Sequence, residues 1–182
     1  MSRRLLRPSL EDPYLLFLVF AGVAVGTVLL APPVRLTILW VTLAVLSVLY
    51  GGRQPIEGAF TLGNIAKGAL LGLVIAVPLL AFLSGQLRVF TERLYGTRDT
   101  LVLFYQICLI SAPVEEVFFR GIVQQYKGSS ASIALYAITA LLYFFPHVPL
   151  LAAFIVFVAM GVLGIVYTSV YERYGLTAAI AS

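Results

Sequence analysis

Charge is what this sequence has least of. Only 11% of its 182 residues are Asp, Glu, Lys or Arg, against about 25% in an average soluble domain, while 61% are hydrophobic. So few charges cannot cover the surface of a soluble domain of this size, and an integral membrane protein is the expected class. Cysteine is nearly absent as well. Cys108 stands alone, which excludes an intrachain disulfide, and its place in an apolar run reads as that of a small packing residue. The net charge of +4 comes from arginines in connecting segments and at the N-terminus. That pattern reports membrane topology, and no nucleic-acid partner is expected.

What the chain does have is long apolar runs, several approaching the roughly 20 residues that cross a bilayer as a helix. The first runs from Tyr14 to Ala31, too long for a signal-peptide core and without a cleavage site. Pro32-Pro33 reads as a tight reversal, and a second span covers about Val34 to Tyr50. Arg35 sits near its start, where its long side chain is expected to snorkel to the head groups. A polar connection over Gly51–Lys67 leads to a third span, Gly68 to Ser84, with Pro78 as a kink. Leu87, Phe90 and Leu94 then recur opposite Arg88, Glu92 and Arg93, the pattern of a short amphipathic helix on the membrane surface. Gly96 ends it, and Asp99 or Thr100 caps a fourth helix over Thr100–Tyr126. Gly128 stops that helix, Ser129 or Ser130 caps a fifth to about Phe145, and a sixth spans Leu150–Val170. Gly161 and Gly164 in the sixth suit close approach of another backbone. Leu176–Ser182 begins a further apolar segment.

The expected fold is therefore an all-α, polytopic transmembrane bundle of about six full spans and the start of a seventh. It forms one membrane domain over residues 1–182. With the N-terminus in the cytoplasm, Arg3, Arg4, Arg7, Arg53, Lys67, Lys127 and Arg173 lie inside, and Arg35, Arg88, Arg93 and Arg98 outside. The excess on the first side favours that orientation.

Against this background Glu115-Glu116-Val117-Phe118-Phe119-Arg120 is out of place. One charged residue at the centre of a membrane helix costs roughly 2.5–3.5 kcal/mol on insertion scales, so these three must face the protein interior or a wet cavity. Glu116 and Arg120 are four apart, about 40° on the helical wheel, and suit an ion pair. Glu115 points about 100° away from Glu116. It is the carboxylate less well placed to pair, which makes it the candidate general base. His147 is the only histidine, and Tyr143 precedes it by one helical turn. An imidazole there can share a water with Glu115, turning the water into a nucleophile toward a carbonyl.

The motif "APVEEVFFRG", followed on the next helix by "YFFPHVP", resembles the CPBP family, the CAAX-protease and bacteriocin-processing (Abi) intramembrane endopeptidases. The likeness covers roughly Leu101 to the C-terminus, so that residues 100–182 would be the catalytic core and residues 1–99 the N-terminal spans and interfacial helix. It implies that Glu115 and His147 activate water, that Glu116 and Arg120 support the site, and that Tyr143 stands where the family usually has Phe. The family's third motif, a further His with Asn four residues later, is not present; "GLTAAIAS" looks like its lead-in, and the chain is expected to be a C-terminally truncated fragment. Metal-free glutamate chemistry is favoured, with no cofactor required. Zinc held by Glu115 and His147 stays open, because a catalytic zinc needs three protein ligands and using Glu116 would compete with Arg120.

The resemblance implies a membrane-embedded peptidase, in a prokaryotic plasma membrane, acting on a peptide or protein substrate that is prenylated in CAAX proteins. The alternatives are a non-enzymatic membrane protein of bacteriocin-immunity or scaffold type, or a small transporter subunit binding a cation or proton at Glu115.

Overall fold

The structure is a computed structural model. It describes residues 12–51, 61–144 and 148–182, without the side chains of residues 79, 80, 83, 86, 87 and 90. His147, Arg3, Arg4, Arg7 and Arg53 lie outside the described residues. Those described form helices and short joints, with no strand among them. In chain order the helices are α1 (Pro13–Gly26), α2 (Pro32–Gly51), α3 (Leu62–Tyr95), α4 (Thr100–Lys127), α5 (Ser129–Phe144), α6 (Leu150–Tyr174) and α7 (Leu176–Ala181).

Three of them, α2, α4 and α6, are long and apolar enough to cross a membrane, and α1, Leu62–Pro78 of α3, and α5 are shorter apolar segments. Helix α6 makes the solvent plain. Leu150, Leu151, Phe154, Ile155, Val158, Val162 and Ile165 are all exposed along it. A row of that kind would be an aggregation surface in water and is the normal outer face of a helix in lipid. The interior gathers Phe20, Leu39, Leu43, Leu94, Phe118, Phe119, Ile122 and Val123, all fully or almost fully buried, from α1 to α4.

Sequence patterning and structure part at several joints. The first helix ends at Gly26, not Ala31, and the reversal occupies Thr27–Ala31. Pro32 and Pro33 instead open α2. A helix start has no use for the amide hydrogens that proline lacks, so the ring is at home there. The third span and the surface helix are one continuous helix, α3, running through Pro78 to Tyr95. Its 34 residues rise about 51 Å at 1.5 Å each, well beyond the roughly 30 Å hydrocarbon layer, so the polar pattern after Ser84 marks where one helix changes surroundings. Gly96 does end it, at φ 68°, and Asp99 caps α4 through hydrogen bonds from the amides of Leu101 and Val102. Ser129 and Ser130 fall inside α5, and the Ser129 hydroxyl bonds the Glu172 carboxylate instead of capping. Cys108 is exposed and fills no interior gap.

Arg35 is the largest correction. Its side chain is 2% exposed and reaches inward. Nη1 donates to the Tyr143 carbonyl at 2.9 Å, and Nη2 to the carbonyls of Leu142 and of Ala24, the latter at 3.1 Å. These are last-turn carbonyls of α5 and α1, which have no amide partner within their own helices. A guanidinium also complements the negative end of each helix dipole. One side chain thus caps two helices, and Arg35 leaves the tally of outside charges.

Small residues set the closest approaches. A Cβ at Gly68 or Gly72 of α3 would collide with the carbonyls of Ala178 and Ser182, so these two glycines let α7 lie against α3. At Gly164, between α5 and α6, a Cβ would make only ordinary contact, 3.4 Å from Tyr136. Gly161 has only Ala137 nearby, at 3.9 Å.

Candidate active site

Helix α4 is not regular where the charges lie. Tyr105–Ser111 and Val117–Gln124 are π-helical, on either side of an α-helical turn from Ala112 to Glu116. The Ala112 amide accordingly bonds the Ile107 carbonyl, five residues back. Pro113 has no amide hydrogen to give, and the wider turn before it accommodates its ring. Such widened turns concentrate at functional sites.

The two carboxylates carried by this turn have different company. Glu116 pairs with Arg120, Oε1 to Nη1 at 3.2 Å, with both side chains buried. This bears out the pairing expected from the spacing, although the contact is an ion pair and not an aligned hydrogen bond. Arg120 is completely buried. Its guanidinium lies 4.2 Å from the centre of the Tyr136 ring and 5.4 Å from that of Tyr167, and Nη2 reaches the Gly164 carbonyl at 3.5 Å. Two aromatic faces and a carboxylate replace the water a guanidinium has lost, an arrangement that suits its flat, weakly hydrated cation better than a lysine.

Glu115 has no cationic partner of its own. Ser111 Oγ donates to its Oε1 at 2.7 Å. The Tyr143 hydroxyl of α5 and the Trp40 indole of α2 stand close enough to interact with the carboxylate, yet neither closes a hydrogen bond of good geometry with any partner. Glu115, Ser111, Trp40, Tyr143, Tyr136 and Tyr167 all line one cavity of about 260 Å³. Ala179, Ile180 and Ser182 close it on the α7 side.

The structure thus brings together Glu115, Glu116, Arg120 and Tyr143. Phe144, three residues before His147 in sequence, also lines the cavity. Sequence reading missed Trp40, Ser111, Tyr136, Tyr167 and Arg35. For Ser111 a signal existed, since it precedes Glu115 by four residues on the same helix, and Tyr136 precedes Tyr143 by two turns. Trp40 and Tyr167 come from other helices and gave none.

Among the described residues no three His, Cys, Asp or Glu side chains gather as a metal would require. Glu116, one of the carboxylates there, is committed to Arg120.

Residues 97–182 match the family model of Rce1-like type II CAAX prenyl endopeptidases. This part of the chain carries α4 to α7, the whole Glu115–Arg120 cluster and Tyr143, and the match agrees with the likeness read from the motifs. Comparison with curated proteins and with solved structures returned no match. The matched segment is thus similar to a family of CAAX-type intramembrane proteases.

Proposed function

We propose that the protein is an intramembrane endopeptidase in which Glu115 is the general base. The observation that carries this reading is the division of labour between the two adjacent glutamates. Glu116 is occupied by Arg120, while Glu115 faces a cavity with only neutral donors around it. A carboxylate held by Ser111 and free of a counter-ion keeps the basicity that an ion pair would remove.

In the proposed reaction a water in the cavity adds through its oxygen to the scissile carbonyl as Glu115 takes one of its protons. The tetrahedral intermediate then collapses. The C–N bond breaks, Glu115 returns the proton to the leaving nitrogen, and the products are a carboxylic acid and an amine. His147, by its place in the family motif, shares the water with Glu115. Glu116 and Arg120 hold the turn that presents Glu115. The substrate class suggested by the family is a peptide ending in a prenylated CAAX-type sequence, reaching the cavity from within the bilayer.

The test is cleavage of a farnesylated CAAX-type peptide by the purified chain in proteoliposomes. Cleavage that E115Q abolishes while thermal unfolding is unchanged supports the reading. Equal turnover by the wild-type chain and E115Q contradicts it.

A further inference from the structure

The bundle has a second recess, which shares no residue with the cavity in front of Glu115. Between α3 and α6 lies a groove of about 250 Å³, lined by Lys67, Leu70, Leu71, Val74, Val170 and Tyr174. Lys67 is in the second turn of α3, and Tyr174 is the last residue of α6. Both therefore stand at the end of an apolar helical segment. Leu70, Leu71 and Val74 follow Lys67 by one to two turns, so the walls become purely apolar within roughly 10 Å of the charged mouth. Leu70 and Val74 are themselves exposed, which leaves the groove open sideways to lipid.

The lysine at the mouth is held but not neutralised. Its Nζ lies 4.9 Å from the centre of the Tyr174 ring, a cation–π contact that positions the ammonium and leaves its charge in place. Among the described residues it has no carboxylate partner. Lys127, at the same end of the bundle, has one in Asp12 at 2.9 Å. Glu172, two residues before Tyr174, is taken up by Ser129 and Gln124. Arg173, exposed beside Tyr174, adds a further positive charge.

A cation left without a counter-ion above an apolar groove is complementary to an amphiphile with an anionic head and a hydrocarbon tail. We infer that this groove binds an anionic phospholipid. Its phosphate meets Lys67 and the Tyr174 hydroxyl, and the first part of one acyl chain lies along Leu70, Val74 and Val170. Lysines near the membrane surface attract anionic lipids, and tyrosine is at home at the same level. A free phosphate would use the mouth and not the groove, and a zwitterionic head group would bring its own cation towards Lys67. The lipid joins α3 to α6, the two helices between which the groove runs.

The test is native mass spectrometry of the full chain in detergent, titrated with phosphatidylglycerol or phosphatidylcholine. Wild type is expected to bind phosphatidylglycerol the more tightly. K67Q should weaken that binding about fivefold, the worth of one lysine near an anionic surface. V74W, which fills the groove and keeps the cation, should weaken it as well, and L70W gives a second filling should V74W fail to fold. R88Q, which removes an exposed cation towards the far end of α3, should leave it unchanged. Thermal unfolding without added lipid confirms that each variant is folded.

Equal affinity for the two lipids, or equal losses in K67Q and R88Q, overturns the site. Wild-type affinity in the groove-filling variants, with inorganic phosphate displacing the lipid, marks a phosphate contact alone and also overturns it. Displacement of phosphatidylglycerol by the farnesylated peptide assigns the groove to substrate and overturns it too.

Discussion

Arg35 and Tyr143, 108 positions apart, are joined by a hydrogen bond from the guanidinium Nη1 to the backbone carbonyl at 2.9 Å. The same side chain also holds Leu142 and Ala24, so α1, α2 and α5 are tied at one buried point. That point lies on the backbone of a residue whose side chain faces Glu115. The cavity is therefore positioned by a cation that does not line it.

Arg35→Leu strands the Leu142 and Tyr143 carbonyls in an apolar interior and leaves that of Ala24 with the Thr27 hydroxyl alone, at 3.3 Å. Hydrogen bonds to a charged group contribute about 1.5–3 kcal/mol each, and they are not additive. A loss of at least about 2 kcal/mol is expected, read as a lower unfolding temperature in detergent. R35K should recover part of it. A change within about 0.5 kcal/mol would mean that the three contacts do not bear on stability.

The Glu116–Arg120 pair should behave as buried pairs do. Removing one partner leaves an unpaired charge and costs about 3–5 kcal/mol, whereas replacing both is often near neutral. R120M alone is therefore expected to be markedly less stable than E116Q/R120M. A thermal-unfolding double-mutant cycle measures the coupling. Additive single-mutant losses would show that the ion pair does not hold the turn.

Glycine positions on α3 offer an internal comparison. Gly68→Ala places a methyl against the Ala178 carbonyl, whereas a methyl at Gly63 would meet nothing within 4 Å. Overpacking costs about 1–3 kcal/mol, and alanine is the better helix former by up to about 1 kcal/mol. G68A should destabilise and G63A should be neutral or stabilising, as measured by thermal unfolding of the two variants. Equal behaviour would show that α7 does not rest on Gly68.

At the membrane edge, Lys127 Nζ bonds Asp12 Oδ2 at 2.9 Å, tying the start of α1 to the end of α4. The lysine hydrogen bond, chiefly, holds the Asp12 carboxyl below its ordinary value of 3.8. Because the folded value is the lower one, the stabilisation is fully present above the unfolded value and is lost as pH falls through the folded one. The pair is partly exposed to solvent, so the effect is at most about 1 kcal/mol and weakens with salt. Hydrogen exchange in the first turn of α1 should be faster in D12N than in wild type at pH 7, with the stability difference gone once Asp12 is protonated in both states. A difference that persists in acid would assign it to the N-cap and not to the charge pair.

How much of this is legible in the sequence depends on the range of each interaction. The Glu116–Arg120 pair lies within one helical turn, and spacing alone reveals it. Gly96, Gly128 and Gly175 stop helices by positive φ, a local property of the residue, and are equally readable. Arg35 is not, because its partners are a turn end in α1 and another in α5, and hydropathy sees only a cation near a helix start. The change of pattern after Ser84 reads as a new helix, yet nothing in Ser84-Gly85-Gln86 breaks the old one. Trp40, Tyr136, Tyr143 and Tyr167 converge from three helices, and their convergence is a product of packing. Of the catalytic residues expected from the sequence, Glu115 falls in the cavity with its expected freedom from Arg120, while His147 lies outside the described residues.

The central claim is that Glu115, and not its neighbour, carries the chemistry. The most direct measurement is the single-turnover rate of farnesylated-peptide cleavage in proteoliposomes by wild type, E115Q and E116Q, each matched for folded fraction. The expected outcome is wild-type cleavage, a loss of at least about 10²-fold in E115Q, and residual cleavage in E116Q that follows its stability. Cleavage by E115Q at the wild-type rate would contradict the account.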